Sequence, residues 1–367
     1  MTTKKLTPII LISMNIAPVG GVGADVLKCV RALCQQGREI HVIYAFMPND
    51  IAKHIPIEKI HWHRIRMPKR PPVVAQTFIW MTSLAIIRKI KKASPNCKTI
   101  CFERLPIGNY VVGAAPSSLW EQARKLMGLS PFSKLPFKYW LKGIDWSFRN
   151  YYSGSLVMYS ERDLKRFIHE GGRPDHVSRV IIPTDTERFQ PIQNYNRKYV
   201  TIIGLNAQHK GIDLALKAWE KIESKYPDLT LRVVTHASSV KKLVAQSPCQ
   251  NVEVNDFIPQ VENYYHSSRL VLMPSMYETW GNVLPEALAC GVPVIASKAV
   301  PSSEIISADI YGEVINHDNP RDASLLIAAI EKTLTLDMSK ENMLARHKHI
   351  KEFMHNNRDL ISWLLNE

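Results

Sequence analysis

The stretch "RLVLMPSMYETWGNVLPEALACGVPVIAS", residues 269–297, decides how this chain reads. Its first seven residues form an apolar run with the composition of a buried strand, and "VPVIAS" at 292–297 is a second such run. Between them the apolar spacing of "LPEALAC" predicts a helix that begins between Gly281 and Val283 and stops at Gly291. Strand, loop, helix and strand in this order make a parallel unit, and ligands of such units bind where a strand's carboxyl end leads into a helix N-terminus. Two glutamates, Glu278 in the loop and Glu286 a turn into the helix, bracket that N-terminus.

The same scheme recurs outward in both directions. "KYVTIIG" (198–204), "LNAQHKG" (205–211), "IDLALKAWEKIESKY" (212–226) and "LTLRVVT" (229–235) give strand, loop, helix and strand. Near the start, "PIILISM" (8–14), "NIAPVGGVG" (15–23), "ADVLKCVRALCQQG" (24–37) and "REIHVIYAF" (38–46) do so again. Alternating strands and helices predict an α/β protein with parallel sheets covered on both faces. A length of 367 residues suits two domains. The polar, proline-containing segment "IIPTDTERFQPIQNYNRKY" (181–199) marks their boundary. Residues 1–185 are read as an N-terminal Rossmann-like domain, 186–350 as a C-terminal one, and 351–367 as a helix packing back toward the first, with the two sheets facing a shared cleft.

Composition narrows the class. Hydrophobic residues at 46% and charged residues at 22% are those of a globular protein. The start, "MTTKKLTPIILISMN", runs into a glycine loop and reads as a buried strand rather than a signal peptide; the other long apolar stretch, "FIWMTSLAII", is shorter than a bilayer span. The six cysteines show no zinc-site spacing and read as reduced thiols of a cytoplasmic protein. Lys plus Arg at 47 against Asp plus Glu at 33, a formal charge of +14, favours a polyanionic partner: nucleic acid, acidic membrane or phosphorylated substrate.

Three loops carry candidate chemistry. The glycines Gly20, Gly21 and Gly23 follow a strand and open a helix, so backbone N–H groups can approach a phosphate there; a tight structural turn is the alternative. Lys210, after Gly204 and directly before Gly211, can place a compact positive charge beside a helix start, although loop lysines are commonly just solvated. At Gly281, Asn282 and Val283 the N–H groups of the first helical turn favour an anion, whereas two carboxylates set against that anion would repel it. The conflict disappears if the ligand is a nucleotide sugar, with the diphosphate in the middle and a polyol at each end. Carboxylates accept hydrogen bonds from vicinal hydroxyls, so Glu286 is assigned to ribose and Glu278 to the donor sugar. The plainer alternative makes Glu286 a charge in a first helical turn and Glu278 a surface residue.

The string "PSMYETWGNVLPEALACGVPVIAS" resembles the signature of retaining family-4 glycosyltransferases of the GT-B fold. "GGVG" is similar to that family's phosphate loop, "HKG" to its phosphate-binding lysine, and "SERDLKRFI" with "IIPTDTERFQP" to its interdomain region. The resemblance implies that Gly21, Lys210, Asn282 and Val283 contact the diphosphate, Glu278 the donor sugar and Glu286 the ribose. It implies retention of anomeric configuration by front-face attack, with the departing phosphate taking the acceptor's proton. "FERLPIGNYVVGAAPSSLW" (102–120) resembles lipopolysaccharide-core members, which implies an envelope saccharide or glycolipid acceptor. Three departures stand out. Leu205 occupies the place of a family arginine, for which Arg104 or His209 could substitute; "GAAPSS" (113–118) lacks an acidic residue; and no "NGV" follows the interdomain proline.

Cleaving the bond from sugar C1 to phosphate requires positive potential on the leaving oxygens, which Lys210, the helix N-termini and the glycine loop can supply. No D-x-D pattern is present, so no metal and no cofactor are expected, the nucleotide sugar (a UDP-sugar favoured) being a substrate. "KLPFKYWLKGIDWSFRNYY" (134–152) interleaves basic and aromatic residues, which suits peripheral contact with an anionic membrane at the cytoplasmic face; inward-packed aromatics of a core helix are the alternative. Two other classes compete: a nucleotide-sugar epimerase of the same fold, and a basic nucleic-acid-binding protein. For the second no helix-turn-helix, zinc or RNA-recognition signature is found, so no nucleic-acid partner is expected.

Overall fold

A computed structural model describes residues 6–17, 21–48, 51, 59–67, 72–130, 135–316 and 322–367. The chain divides into two compact units, one of residues 1–118, 131–182 and 358–367, the other of residues 119–130 and 183–357.

Among the described residues the N-terminal unit holds seven strands: β1 (Ile9–Asn15), β2 (Ile40–Phe46), β3 (Ile60–Arg64), β4 (Lys98–Cys101), β5 (Tyr110–Val112), β6 (Ser155–Met158) and β7 (Val177–Arg179). They pair in the order β3-β2-β1-β4-β5-β6-β7, every pairing parallel. Ile9, Ile10, Leu11 and Ile12 are all fully buried, since helices cover both faces of a parallel sheet and leave no solvent side for alternation to register. On one face Ile10, Ile12 and Ile43 pack with Ile79, Ile87 and Ile90 of the helix Pro72–Ala93 and with Ile144 and Phe148 of the helix Leu135–Asn150. The apolar stretch at 78–87 thus belongs to a longer element than its sequence limits suggest: that helix has 22 residues and, by length and composition alone, is apolar enough to cross a membrane.

The C-terminal unit holds β8 (Tyr199–Ile203), β9 (Thr230–Val234), β10 (Val252–Asn255), β11 (Ser268–Met273), β12 (Val294–Ser297) and β13 (Gly312–Ile315), ordered β10-β9-β8-β11-β12-β13 and again parallel. Trp219 of the helix Ile212–Ile222 is wholly buried in its core, and its Nε1–H donates to Asn251 O at 2.9 Å, so the indole is packed without an orphan donor.

The α/β architecture with two parallel sheets is as the sequence implied. Its limits differ. The units meet in sequence at Ile182 and Pro183 rather than at 185/186. Residues 119–130, read as part of the first domain, cluster with the second. The single tail helix expected over 351–367 is in fact two. Lys340–Asn356 stays with the C-terminal unit, Asn357 is extended (φ −118, ψ 142), and a new helix, Leu360–Asn366, starts behind the N-cap Asp359. That last helix is fastened within the N-terminal unit: Ile181 and Asp359 bridge, Trp363 packs edge-on to Tyr110, and Lys98 Nζ lies 3.0 Å from Glu367 Oε2.

Candidate active site

In each sheet the strand order reverses at one point, between β1 and β4 in the first and between β8 and β11 in the second. Loops leaving adjacent strands in opposite directions open a crevice at such a switch point. In the C-terminal unit the two loops at the switch are the ones that carry Lys210 and Glu278.

Lys210 ends a single helical turn, Ala207–Lys210, whose N-cap Asn206 accepts the His209 N–H on Oδ1 at 2.9 Å. The lysine stem folds back over Gly204, where a Cβ would stand 2.6 Å from Lys210 Cγ, so only glycine permits that path. The loops are tied together by the Met276 N–H, which donates to His209 O at 2.9 Å. Lys210 Nζ then lies 2.5 Å from Glu278 Oε1, with the side chains 25% and 12% exposed. The cation and one of the two carboxylates singled out in the sequence are therefore direct partners.

Past Glu278 the chain is held from beneath. Trp280 is buried, its carbonyl accepts the Ser302 N–H at 3.0 Å, and Ser302 Oγ donates to Gly281 O at 2.8 Å. Gly281 has φ +106, and a Cβ there would meet Val300 Cγ1 at 2.6 Å; the loop could not lie this close with a side chain. Asn282 is the N-cap of the helix Val283–Ala289, within the range expected for its start. In its first turn the Leu284 N–H donates to Gly281 O and the Glu286 N–H to Asn282 O, both at 3.2 Å, while Pro285 carries no N–H. Glu286 is half-buried, and Tyr265 O–H donates to its Oε2 at 2.7 Å. Burial first, and the Glu286 carboxylate second, push the Tyr265 hydroxyl well above its ordinary value, so it remains a donor and fixes the carboxylate's orientation. Sequence reading missed Tyr265, which carries no motif and enters the site only through the fold.

Beside these loops a cavity of about 320 Å³ is lined by Gln208, Asp213, Lys217 and Met276 together with Leu126 and Met127. The last two come from the segment 119–130 that the sequence had assigned to the other domain.

The two residues considered in place of the missing arginine sit in different surroundings. Leu205 is 46% exposed at that place. Burial holds the His209 imidazole below its ordinary value, the Glu278 charge opposing and Lys210 assisting, so at neutral pH it contributes no positive charge. Arg104 is engaged inside the N-terminal unit: Nη1 donates to Ala115 O, and Nη2 to the buried carboxylate of Asp145, which also accepts from Ser117 N at 3.0 Å and from Ser117 Oγ.

In the N-terminal unit Gly21 (φ +59) begins the helix Gly21–Gln35, and Gly23 sits where a Cβ would stand 3.0 Å from Ala17 N. Gly20 lies outside the described residues. Across this unit's own switch point, Glu103 Oε1 accepts the Met14 N–H at 2.5 Å. Burial raises the Glu103 carboxyl above the usual range, against the hydrogen bonds from Met14, Gln76 and Ser13.

Two parallel-sheet units of this topology make the GT-B fold. WaaG, a glycosyltransferase involved in lipopolysaccharide biosynthesis, superposes with a TM-score of 0.75 at 17% identity over 98% of both chains. Sucrose-phosphate synthase of Thermosynechococcus elongatus gives 0.73 at 17% identity over 98% of this chain and 97% of that one. HepE of Anabaena in complex with UDP and glucose gives 0.64 at 15% identity over 98% of each. At such identities these likenesses establish the fold.

Residues 183–349, most of the C-terminal unit, match the family model described as Glycosyl transferases group 1. An uncharacterized glycosyltransferase of Haemophilus influenzae is 32% identical over 141 residues, 37% of this chain and 40% of that protein. A D-inositol 3-phosphate glycosyltransferase of Catenulispora acidiphila is 29% identical over 106 residues, 29% of this chain and 24% of that protein. The matched stretches thus span less than half the length of these curated relatives.

Proposed function

We propose that the chain transfers a sugar, with retention and without a metal ion, from a nucleotide sugar to a saccharide or glycolipid acceptor of the cell envelope. The observation that carries this reading is the ion pair of Lys210 and Glu278 on adjacent switch-point loops, with Glu286 one helical turn further on. The diphosphate draws the Lys210 ammonium and the N–H groups at Asn282 and Val283. Glu278, released from the ammonium, accepts hydroxyls of the donor sugar, and Glu286 accepts the ribose hydroxyls while Tyr265 holds it in place. As the C1–O bond lengthens, charge builds on the leaving diphosphate, where a fixed cation lowers the barrier more than it stabilises the bound substrate. The acceptor hydroxyl attacks C1 from the face the phosphate leaves, and its proton passes to the departing phosphate oxygen. A UDP-sugar is favoured as donor and lipopolysaccharide core as acceptor; the likeness to WaaG supports the second choice and the UDP-bound HepE the first.

A membrane face suits a lipid-linked acceptor. Tyr139, Trp146 and Tyr151 are 63%, 56% and 69% exposed along and just after the helix Leu135–Asn150, while Leu141, Ile144 and Phe148 turn into the core. Exposed Lys142 shares the aromatic side, and the neighbouring helix Pro72–Ala93 adds exposed Phe78 and Met81. Aromatic rings beside ammonium groups match an anionic headgroup layer.

The test is release of nucleoside diphosphate from a panel of nucleotide sugars, with and without lipopolysaccharide-core acceptor, followed by nuclear magnetic resonance of the product's anomeric centre. Acceptor-dependent release with an unchanged anomeric configuration supports the reading. Turnover of donor with no acceptor, or no turnover of any donor, overturns it.

A further inference from the structure

At the other end of the N-terminal sheet, away from the carboxyl ends of its strands, four metal-ligating side chains meet. Glu39 immediately precedes β2, His41 is the second residue of β2, and His61 and His63 are the second and fourth residues of the edge strand β3. Parallel register sets His41 opposite His61 and Ile43 opposite His63, so the pleat brings all three imidazoles to one face. Glu39 Oε1 stands 3.2 Å from His61 Nε2 and 3.7 Å from His41 Nε2. One ligand atom from each of the three lies within 4.8 Å of the other two. His41 Nδ1 faces His63 Nε2 at 3.0 Å.

We propose that Glu39, His41 and His61 bind a zinc-type divalent cation, with His63 as the outer partner that orients His41. Zinc–nitrogen and zinc–oxygen bonds of about 2.0–2.2 Å place tetrahedral ligand atoms roughly 3.3–3.5 Å apart, close to the two Glu39 separations. A ligating imidazole requires its second nitrogen to be held by another group, and the His41–His63 contact does this. The His41 and His61 rings are stacked, centroids 4.6 Å apart and 20° from parallel, so His61 must swing inward to ligate; at 50% exposure it has room, and the fourth position opens to water. The bound ion fastens the edge strand β3 to β2. It takes no part in sugar transfer.

Chelator-treated full-length protein is titrated with Zn²⁺ by calorimetry and with Co²⁺ by visible absorption, alongside His61→Ala, Glu39→Gln and His63→Ala. The expected result is one equivalent bound to the wild type, tetrahedral cobalt bands without the near-ultraviolet thiolate band that cysteine ligation would add, and a raised melting temperature. His61→Ala and Glu39→Gln should lose the site, and His63→Ala should weaken it about tenfold. Equal binding by the variants, a thiolate band, or no wild-type binding below about 1 mM overturns the proposal.

Discussion

Lys210 Nζ and Glu278 Oε1 are 2.5 Å apart, so the cation proposed to hold a diphosphate is paired with the carboxylate proposed to hold a sugar. A diphosphate must compete with Glu278 for that ammonium. The sugar of an intact donor then gives the displaced carboxylate new partners. Replacing Glu278 by its uncharged isostere separates the two effects. Glu278→Gln should bind free nucleoside diphosphate at least as tightly as the wild type and yet lose most of its transfer activity; Lys210→Ala should lose both. Hydrogen bonds to charged groups contribute about 1.5–3 kcal/mol, so the Lys210→Ala affinity for nucleoside diphosphate should fall roughly 10- to 150-fold. Calorimetry on both variants checks it, and a Glu278→Gln protein that binds the diphosphate more weakly would contradict the competition.

Tyr265 holds Glu286 through one hydrogen bond of 2.7 Å from a fully buried ring. Tyr265→Phe keeps the ring and removes the donor. The expected outcome is a several-fold rise in donor KM with little change in kcat, because a ribose contact made equally in ground and transition states affects binding alone. Steady-state kinetics with varied donor reads this directly.

Arg104 and Asp145 form a pair inside the N-terminal unit, with side chains 18% and 6% exposed. Removing the guanidinium leaves a buried carboxylate with Ser117 as its remaining hydrogen-bond partner among the described residues. Arg104→Ala should therefore destabilise by about 3 kcal/mol, the low end of the range for breaking a buried pair because Arg104 keeps some contact with water. The double variant Arg104→Leu/Asp145→Leu should recover part of that loss. Denaturant unfolding of the three variants makes the comparison.

If the exposed aromatics of the 135–150 helix meet a membrane, the protein should co-sediment with vesicles containing phosphatidylglycerol and much less with phosphatidylcholine alone. Trp146→Ser/Tyr151→Ser should abolish the difference, and raised salt should weaken binding, since surface attraction is screened within about 8–10 Å at physiological ionic strength.

Much of the candidate site could be read from sequence because its parts are local. The run from Arg269 to Ser297 holds a strand, a glycine that admits a close approach, a helix start and a carboxylate on that helix, and each has a short-range signature. Lys210 next to Gly211 was visible for the same reason. The features that escaped are joined across the fold: Tyr265 reaches Glu286 from 21 residues away, and Arg104 reaches Asp145 from 41. The missing arginine at Leu205 invited a substitute, but burial, which no spacing reveals, keeps His209 neutral. The region 104–152 looked irregular because its aromatics divide between a core face and an exposed face of one helix. No period in the sequence announced that Leu126 and Met127 would join the C-terminal unit.

The account turns on a carboxylate that recognises ribose, and paired nucleotides test it most directly. Calorimetry should compare UDP with its 2′,3′-dideoxy analogue on the wild type and on Glu286→Ala. The prediction is that the wild type binds UDP at least tenfold more tightly than the analogue and that Glu286→Ala binds the two alike, at the analogue's affinity. Equal binding of both nucleotides by the wild type, or an undiminished preference in Glu286→Ala, would contradict it.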